Sequence, residues 1–409
     1  MKTSWVQLCL CVSLCLVSAR PDHYQYHQNK HKAGRGMDDE KQQLLYILLD
    51  GFRWDYLDKL SVSELPGFTK LLKEGGRARW TNPLFPSISY PTWTTLSTGL
   101  HAEYHGIVGN YFYDPVDKDY FSLFDVDATG KAKWWSAHEP VWTTAEKAGL
   151  KTAQYLWSRC DVPFDGVTTH FCEHFVKITG KDIFMQNIGR GLEKLSEGYD
   201  LVQVYTEHGD NTVNIVIVSD HGMTSTASDD VNMIELDDYL DSSLVENIAD
   251  AGAFMNIKVP QENVNKVYEQ VSQMPAVNVY RREDVPERFH FSNNKYIHEI
   301  ILQADMGNYI LASNSDKQLP NRKQSVSLGN HGYNPDYQNM KGIFFAKGPV
   351  LTHVLGITPR PHNGTWSRVE PALTFNNKRK GCNAAPIHDL SITSLVACLV
   401  ASFLYTVRR

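Results

Sequence analysis

The chain has 409 residues, of which 42% are hydrophobic, enough to bury a substantial core. Its length allows two or three domains, but one large α/β domain accounts for it equally well. The formal net charge of −6 argues against a nucleic-acid partner, because binding to a phosphate backbone requires a basic surface.

The first 19 residues predict a signal peptide. An apolar run from Trp5 to Val17 follows Met1-Lys2 and leads into Ser18-Ala19, an arrangement typical of cleaved signal sequences. A first transmembrane helix is the alternative, but the run is shorter than the ~20 residues that span a bilayer. Residues 20–43 are polar and lack apolar periodicity, which indicates a disordered lead-in.

The predicted folded domain covers residues 44–355 and begins with a continuous apolar run at Leu44–Leu49. Such a run is typical of a strand buried on both faces. Strand-like and helix-like segments then alternate along the chain, at Thr152–Trp157, Ile183–Leu195, Leu201–Tyr205, Val213–Val218 and Gly342–Ala346. The alternation predicts an α/β fold with a mostly parallel central sheet and helices on both of its faces.

Three cysteines remain once the signal peptide and the apolar C-terminal tail are set aside. Cys160 and Cys172 close a short loop, and we expect them to pair in an oxidising compartment. Cys382 is then left over, which favours either a disulfide-linked homodimer or a free thiol near the membrane. Asn363 begins an Asn-Gly-Thr sequon and is a candidate glycosylation site.

The C-terminal segment carries an apolar run from Leu390 to Val407, preceded by small residues and a short spacer. This order predicts a glycosylphosphatidylinositol (GPI) addition signal over residues 384–409, with residues 356–383 as a stalk. A plain membrane-spanning helix is the alternative. Either anchor places the folded domain on the extracellular face of the plasma membrane; without an anchor it would be secreted.

Polar residues at the predicted strand ends point to a metal site. Asp50 follows the first strand, and Asp220-His221-Gly222 follows the strand that ends near Val218. Functional side chains of open α/β sheets gather just beyond the carboxyl ends of the strands. A carboxylate and an imidazole side by side are suitable ligands for a zinc-like ion. A capping Asp beside a buried His would be the structural interpretation if this pair stood alone.

Other segments repeat the pattern of a known family. Phe85-Pro86-Ser87-Ile88-Ser89-Tyr90-Pro91, Thr98-Gly99, His105-Gly106 with Asn110, Ser219-Asp220-His221-Gly222 and His331-Gly332-Tyr333 occur in that order. Together with Asp50 they resemble the ecto-nucleotide pyrophosphatase/phosphodiesterase family of the alkaline-phosphatase superfamily. The resemblance runs from about Leu44 to Val350.

The resemblance implies a catalytic role for several residues. Ser89 would be the nucleophile of a phosphodiesterase that works through a phosphoseryl intermediate. Asp50, Asp220, His221 and Ser89 would hold one Zn²⁺, and His331 would belong to a second. Asn110 would donate hydrogen bonds to a phosphoryl oxygen as negative charge develops there.

One family motif is missing. Family members carry D-x-x-G-H before Ser-Asp-His-Gly, and it supplies most of the second zinc site. Here Tyr205 is followed by Thr206-Glu207-His208-Gly209-Asp210, and the next strand begins almost at once. Parallel neighbours need a crossover of about a dozen residues, so we infer a deletion near residues 208–212. His208 and Asp210 could substitute as ligands, but their spacing and order favour a surface turn.

The predicted substrate is a choline phosphodiester, either glycerophosphocholine or lysophosphatidylcholine, cleaved to phosphocholine. A Ser nucleophile in place of Thr, an end of the chain soon after the catalytic domain and a GPI-type tail are similar to the glycerophosphocholine choline phosphodiesterases. Tyr205 and Glu173 are the preferred residues for binding the quaternary ammonium group, ahead of Trp134, Trp135, Trp157 and Tyr113. Two alternatives stay open: a nucleotide pyrophosphatase/phosphodiesterase, and a non-catalytic surface binding protein.

Overall fold

The structure is a computed structural model, and it describes residues 43–59, 66–123, 125–157, 159–175, 181–206, 215–227, 230–313, 315–319 and 328–347, with short strands at 356–357, 374–375, 390–391 and 404–406. The predictions for the signal peptide, for residues 20–42 of the lead-in and for His208, Asp210, Asn363 and Cys382 lie outside these residues. Within them, no helix combines the length and apolar character needed to cross a membrane.

The strands are numbered in chain order. They are β1 (Leu44–Leu49), β2 (Gly76–Arg77), β3 (Thr81–Asn82), β4 (Tyr111–Asp114), β5 (Asp119–Ser122), β6 (Thr152–Tyr155), β7 (Phe171–Glu173), β8 (Leu201–Thr206), β9 (Ile215–Ser219), β10 (Thr224–Ser225), β11 (Asn232–Glu235), β12 (Asn247–Ala249), β13 (Phe254–Lys258), β14 (Val277–Arg281), β15 (Ile300–Ala304), β16 (Asn308–Leu311), β17 (Gln318–Leu319), β18 (Gly329–Asn330), β19 (Phe344–Lys347), β20 (Gly356–Ile357), β21 (Thr374–Phe375), β22 (Leu390–Ser391) and β23 (Leu404–Thr406).

The helices are of two kinds. The α-helices are α1 (Pro66–Glu74), α2 (Ser89–Thr98), α3 (Ala102–His105), α4 (Val126–Thr129), α5 (Val141–Lys147), α6 (Lys181–Ser196) and α7 (Val264–Val271). Single turns of 3₁₀-helix occur at Tyr56–Lys59, Ala132–Trp134, Leu236–Asp238, Ser242–Leu244, Gln261–Asn263, Arg282–Asp284, Glu287–Phe289 and Gln338–Met340.

The central sheet has eight strands in the order β21-β2-β19-β9-β1-β8-β6-β7. From β9 to β7 every pairing is parallel, whereas β19, β2 and β21 pair antiparallel at the other edge. The predicted mostly parallel sheet is therefore confirmed. The last predicted strand, at Gly342–Ala346, begins two residues later and runs against its neighbour β9.

Helices cover both faces of this sheet, as predicted. Successive residues of β1 point to opposite faces, and Leu44, Tyr46 and Leu48 join one core while Leu45, Ile47 and Leu49 join another. Helices α2 and α5 pack into the first core, and α1 and α6 pack into the second. Every residue of β1 is buried, which explains its uninterrupted apolar sequence.

The order of the strands corrects one step of the sequence interpretation. Strands β8 and β9 are not neighbours, because β1 lies between them and pairs with both in parallel. Eight residues separate Thr206 from Ile215 in the sequence. They are too few for the crossover helix that normally joins two parallel strands of one sheet. The inference of a deletion therefore stays a prediction, based on the crossover and not on direct pairing.

A second sheet, which the sequence interpretation did not anticipate, has five strands in the order β14-β15-β13-β12-β17. One face of this sheet and helix α7 form a separate core that includes Val267, Ile257 and Leu302, whereas Phe254 and Ile301 join the core that contains Leu44. After the second sheet the chain returns to the central sheet through residues Gly329 to Tyr333. This segment places His331 against His221, at the end of β1 and β9.

Candidate active site

Two adjacent strand ends supply three of the predicted site residues. Leu49 of β1 lies opposite Ser219 of β9, so Asp50 and Asp220 follow their strands side by side. His221 comes next in the chain after Asp220. Helix α2 begins at Ser89, directly after the extended residue Ile88, and presents its first residue to the same edge of the sheet.

The four side chains converge on one point. The Ser89 hydroxyl oxygen Oγ lies 3.2 Å from His221 Nε2 and 3.5 Å from Asp50 Oδ2. His221 Nε2 lies 3.4 Å from Asp220 Oδ2 and 3.8 Å from Asp50 Oδ1. In the part of the chain that the structure describes, Asp50, Asp220 and His221 are the one group of three metal-ligating side chains close enough to share an ion.

Both histidines present the same ring nitrogen to the site. His221 Nδ1 contacts the carbonyl oxygen of Gly222 at 2.8 Å, and His331 Nδ1 contacts the carbonyl oxygen of Ser87 at 3.1 Å. A carbonyl oxygen only accepts, so each Nδ1 carries the proton and each Nε2 is left with a lone pair. The two rings stack at 3.7 Å between centroids. Burial lowers the pKa of His221. Burial is also the main reason why the pKa of His331 is lowered to about 3, and the neighbouring His221 lowers it further. Neutral imidazoles are the form that binds metals.

The Asp50 and Asp220 carboxylates repel each other, and a bound cation would reduce this repulsion. Asp220 is fully buried, and this burial, followed by the charge of Asp50, raises the pKa of Asp220 well above its usual range. The backbone N–H groups of Gly51 and His221 donate to its Oδ1 at 3.0 and 2.9 Å. These donors do not compensate for two neighbouring carboxylates. Oxygen and neutral imidazole ligands around such a charge fit a divalent ion such as Zn²⁺.

Asn110 lies beside Ser89, the predicted nucleophile. Its Oδ1 accepts a hydrogen bond from the backbone N–H of Tyr90 at 3.0 Å, the residue after Ser89. That N–H belongs to the first turn of α2, where helices lack internal acceptors. With Oδ1 engaged, the two N–H bonds of Nδ2 are the groups that can donate to a bound ligand.

Tyr205 also reaches the cluster, through its hydroxyl group. The hydroxyl donates to Asp50 Oδ2 at 2.8 Å, and the ring packs on Trp93 with centroids 4.5 Å apart. Phe175 meets the Tyr205 ring edge-on at 5.7 Å. Tyr205 is therefore next to the cluster of Asp50, Asp220 and His221, in contact with the Asp50 carboxylate.

Glu173 is not part of this cluster. It ends β7, the edge strand, which β6 and β8 separate from β1. Its carboxylate forms an ion pair with Arg190 of α6 at 2.7 Å, and Arg190 lies over the ring of Tyr155, in the core opposite to that of Ser89. The structure therefore gives no support to the predicted role of Glu173 in binding a substrate at Ser89.

The other aromatic candidates serve the core. The indole N–H groups of Trp134, Trp135 and Trp157 donate to protein acceptors, namely the Ala128 carbonyl at 2.9 Å, the Thr129 carbonyl at 2.7 Å and the Ser97 hydroxyl at 2.9 Å. Tyr113 lies in the β4–β5 hairpin and faces His298.

Two site neighbours were missed. Trp93 donates its indole N–H to Asp220 Oδ2 at 2.7 Å, and Phe175 packs edge-on against Trp93 at 5.7 Å. The sequence did contain a signal for Trp93, because it follows Ser89 by four residues and such residues share a helix face. No comparable signal points to Phe175, whose position depends on the pairing of β7 with β6.

Known proteins are similar to this chain in sequence and in fold. The family described as "Type I phosphodiesterase / nucleotide pyrophosphatase" matches residues 44–211 and 199–334. Human ectonucleotide pyrophosphatase/phosphodiesterase family member 5 is 31% identical, over 82% of this chain and 79% of its own. Human "Bis(5'-adenosyl)-triphosphatase ENPP4" is 28% identical, over 88% of each chain. A solved structure of murine family member 5, an inactive variant in complex with AMP, has a TM-score of 0.70 at 27% identity and covers 81% of this chain and all of its own.

The matches also show a discontinuity. The family match falls into two segments that meet at residues 199–211. The alignment with human family member 5 runs over 395 positions, more than the 82% of 409 residues that it covers here, so part of that relative has no counterpart in this chain. The family match covers well over half of the sequence, and the structural neighbours have the same α/β fold. This chain belongs to the ecto-nucleotide pyrophosphatase/phosphodiesterase family of the alkaline-phosphatase superfamily.

Proposed function

We propose that this chain is a zinc-dependent extracellular phosphodiesterase that cleaves choline phosphodiesters at Ser89 and releases phosphocholine. The observation that carries the proposal is the convergence of the Ser89 hydroxyl with Asp50, Asp220 and His221. These are the residues to which the family resemblance assigns the nucleophile and one zinc site.

The chemistry follows from the placement of Ser89. When bound, Zn²⁺ would supply the positive charge that lowers the pKa of a hydroxyl group and stabilises the charge of a phosphoryl group. Ser89 Oγ forms a bond to phosphorus, and the alcohol of the diester leaves with the electrons of its P–O bond. Water then cleaves the Ser89–phosphate ester and restores the hydroxyl. The Nδ2 group of Asn110 donates to the phosphoryl oxygen at which charge increases.

The choline assignment is supported by the aromatic side chains beside the cluster. Tyr205 donates its hydroxyl to Asp50, and the buried rings of Trp93 and Phe175 pack against the Tyr205 ring and support it. Aromatic rings next to negative charge favour a quaternary ammonium ion. A serine at position 89, in place of a threonine, also supports a choline substrate.

A nucleotide substrate is the second candidate. The murine relative was solved with AMP, and the name of the ENPP4 relative describes cleavage of a bis(adenosyl) triphosphate. If this chain uses its site in the same way, the site would accept a nucleoside and not a trimethylammonium group.

The missing D-x-x-G-H motif lowers the expected rate. His331 lies next to His221, but among the described residues it belongs to no group of three metal-ligating side chains. We therefore expect weak or no turnover and one Zn²⁺ per chain, not two. A second bound Zn²⁺ together with ordinary enzyme rates would refute this expectation. A chain that binds no zinc and shows no turnover would instead be the non-catalytic surface protein.

The decisive experiment compares two chromogenic substrates with one leaving group, p-nitrophenyl phosphocholine and the p-nitrophenyl ester of thymidine 5'-monophosphate. The proposal predicts a higher kcat/KM for the choline ester; the reverse preference assigns the chain to the nucleotide branch.

Substitution of Ser89 tests the nucleophile. Ser89→Ala should reduce turnover by on the order of 10³-fold or more, because the group that attacks phosphorus is lost. Ser89→Thr keeps a hydroxyl and should retain measurable turnover. Equal, measurable rates for the wild type and Ser89→Ala would exclude Ser89 as the nucleophile.

We also propose GPI anchoring at the cell surface, with Cys382 as the candidate for a disulfide-linked homodimer. Release of the expressed protein from cells by phosphatidylinositol-specific phospholipase C tests the anchor. A dimer band that disappears on non-reducing gels for Cys382→Ser tests the bridge.

A further inference from the structure

Trp93 lies one helical turn after Ser89 and is 2% exposed. Its indole N–H donates to Oδ2 of Asp220 at 2.7 Å. Oδ1 of the same carboxylate accepts two backbone N–H groups, so Trp93 is the one recorded donor to Oδ2 among the described residues. Since Asp220 is fully buried, water cannot replace that donor without a rearrangement.

The second carboxylate of the site is held in a similar way. Tyr205 donates to Oδ2 of Asp50 at 2.8 Å, and its ring packs on Trp93. Phe175 lies edge-on to both rings at 5.7 Å. The two donors therefore support each other through packing, and α2 connects Trp93 rigidly to the nucleophile at its first residue.

We propose that Trp93 is a positioning residue that fixes Asp220 for binding of a divalent cation. The inference rests on the proposed zinc site. Its physical basis is that the Trp93 N–H fixes the orientation of the Asp220 carboxylate, which without this donor would be free to rotate away from the site. Groups that hydrogen-bond to metal ligands typically contribute about 10–100-fold to metal affinity. We expect Trp93 to contribute a factor of the same order to zinc affinity.

The variant Trp93→Phe isolates the hydrogen bond, because it keeps an aromatic ring and removes the N–H. Trp157→Phe is the matched control. Trp157 is equally buried, also donates its indole N–H to a side-chain oxygen, that of Ser97, and does not touch Asp220. Both variants lose similar volume, so a general effect of core repacking would appear in both.

Zinc affinity, measured by competition with a chromophoric chelator, is the first readout. We expect about a 10–100-fold weaker affinity for Trp93→Phe and less than a threefold change for Trp157→Phe. In an Asp220→Asn background the Trp93→Phe change should add little, because its partner is already altered. Equal losses in the two tryptophan variants, or no loss in Trp93→Phe, would overturn the proposal.

A metal-free readout separates this inference from the proposed function. With ¹⁵N-indole-labelled tryptophan, Trp93→Phe assigns the Trp93 N–H resonance, and Asp220→Asn should shift that resonance and speed its exchange with solvent. If the wild type bound no zinc and the resonance still responded to Asp220→Asn, the proposed metalloenzyme would fail while the hydrogen bond stood. The positioning role in cation binding would then be refuted. If Asp220→Asn changed neither the position nor the solvent exchange of this resonance, the hydrogen bond between Trp93 and Asp220 would be refuted.

Discussion

Gly222 shows why a glycine follows the Asp220–His221 pair. A Cβ atom at this position would lie 2.0 Å from the backbone oxygen of Asn339 and 2.8 Å from that of Lys341. The Gly222 N–H also donates to the Met340 carbonyl at 2.8 Å. Only glycine allows this approach, so the motif that supplies two site residues is fixed against the segment leading to β19.

Substitution of this glycine should damage both stability and the site. We expect Gly222→Ala to lower the free energy of unfolding by about 1–3 kcal/mol, the usual cost of overpacking, and to weaken zinc binding through displacement of His221. Urea denaturation and chelator competition measure the two effects.

Gly189→Ala is the matched control for that change. Gly189 lies within α6 on an exposed face, and an added Cβ would meet no atom within 4 Å. Alanine is the better helix former by about 0.8–1 kcal/mol, so this variant should be slightly more stable than the wild type. If both variants behaved alike, the steric argument for Gly222 would be wrong.

Among the elements, the connection from β6 to β7 is held by a disulfide. The predicted pairing of Cys160 with Cys172 is confirmed, with a sequence separation of 12 residues. Phe175, two residues after β7, reaches Tyr205 and Trp93. The crosslink therefore constrains the segment that brings an aromatic ring to the site.

Removal of this disulfide should destabilise the protein. The double variant Cys160→Ala/Cys172→Ala is expected to lose about 3 kcal/mol of unfolding free energy, because a loop of this size restricts the unfolded chain. Urea denaturation measures it. A reductant should lower the stability of the wild type but not that of the double variant; equal sensitivity of the two would contradict this account.

Across the whole molecule, neutral histidines are buried at two further places outside the candidate site. His105, 3% exposed, accepts the Ile107 N–H through Nδ1, and burial lowers its pKa to about 3. His298, 1% exposed and next to the second sheet, has its pKa lowered by burial to about 4. The unfolded chain binds protons at these histidines near pH 6.5, whereas the folded chain does not.

Stability should consequently fall on acidification. The contribution of these histidines is complete above pH 6.5 and is lost as the pH falls from 6.5 towards 4. At pH 5.5 each of these two histidines should lower the free energy of unfolding by about 1.4 kcal/mol relative to pH 7.5. Urea unfolding in the presence of a chelator at the two pH values measures the difference, with the exposed His170→Gln variant as a control that should follow the wild type. Equal unfolding free energies at both pH values would contradict the expectation.

Local sequence was sufficient for the strand-end ligands. The apolar run of β1 and that of β9 each end in an acidic residue, and parallel strands place such residues at one edge, so Asp50 and Asp220 could be brought together by pattern alone. The assignment of Ser89, Asn110 and His331 required the family resemblance, because their segments carry no periodicity that points to the sheet.

Tertiary structure alone decided which side chains share a face and which strands are neighbours. Glu173 precedes Phe175 by two residues, yet it pairs with Arg190 while Phe175 packs at the site. Strands β8 and β9 could pair with each other or lie on opposite sides of β1. The choice depends on how much apolar surface the whole sheet buries, and no single segment of the sequence contains that information. Composition and periodicity were sufficient to predict the α/β class, and the strand-end positions of Asp50 and Asp220 were sufficient to predict that these two side chains lie together. The hydrogen bonds of Trp93 and Tyr205 to those carboxylates depended on long-range packing, because their partners lie more than a hundred residues away in the chain.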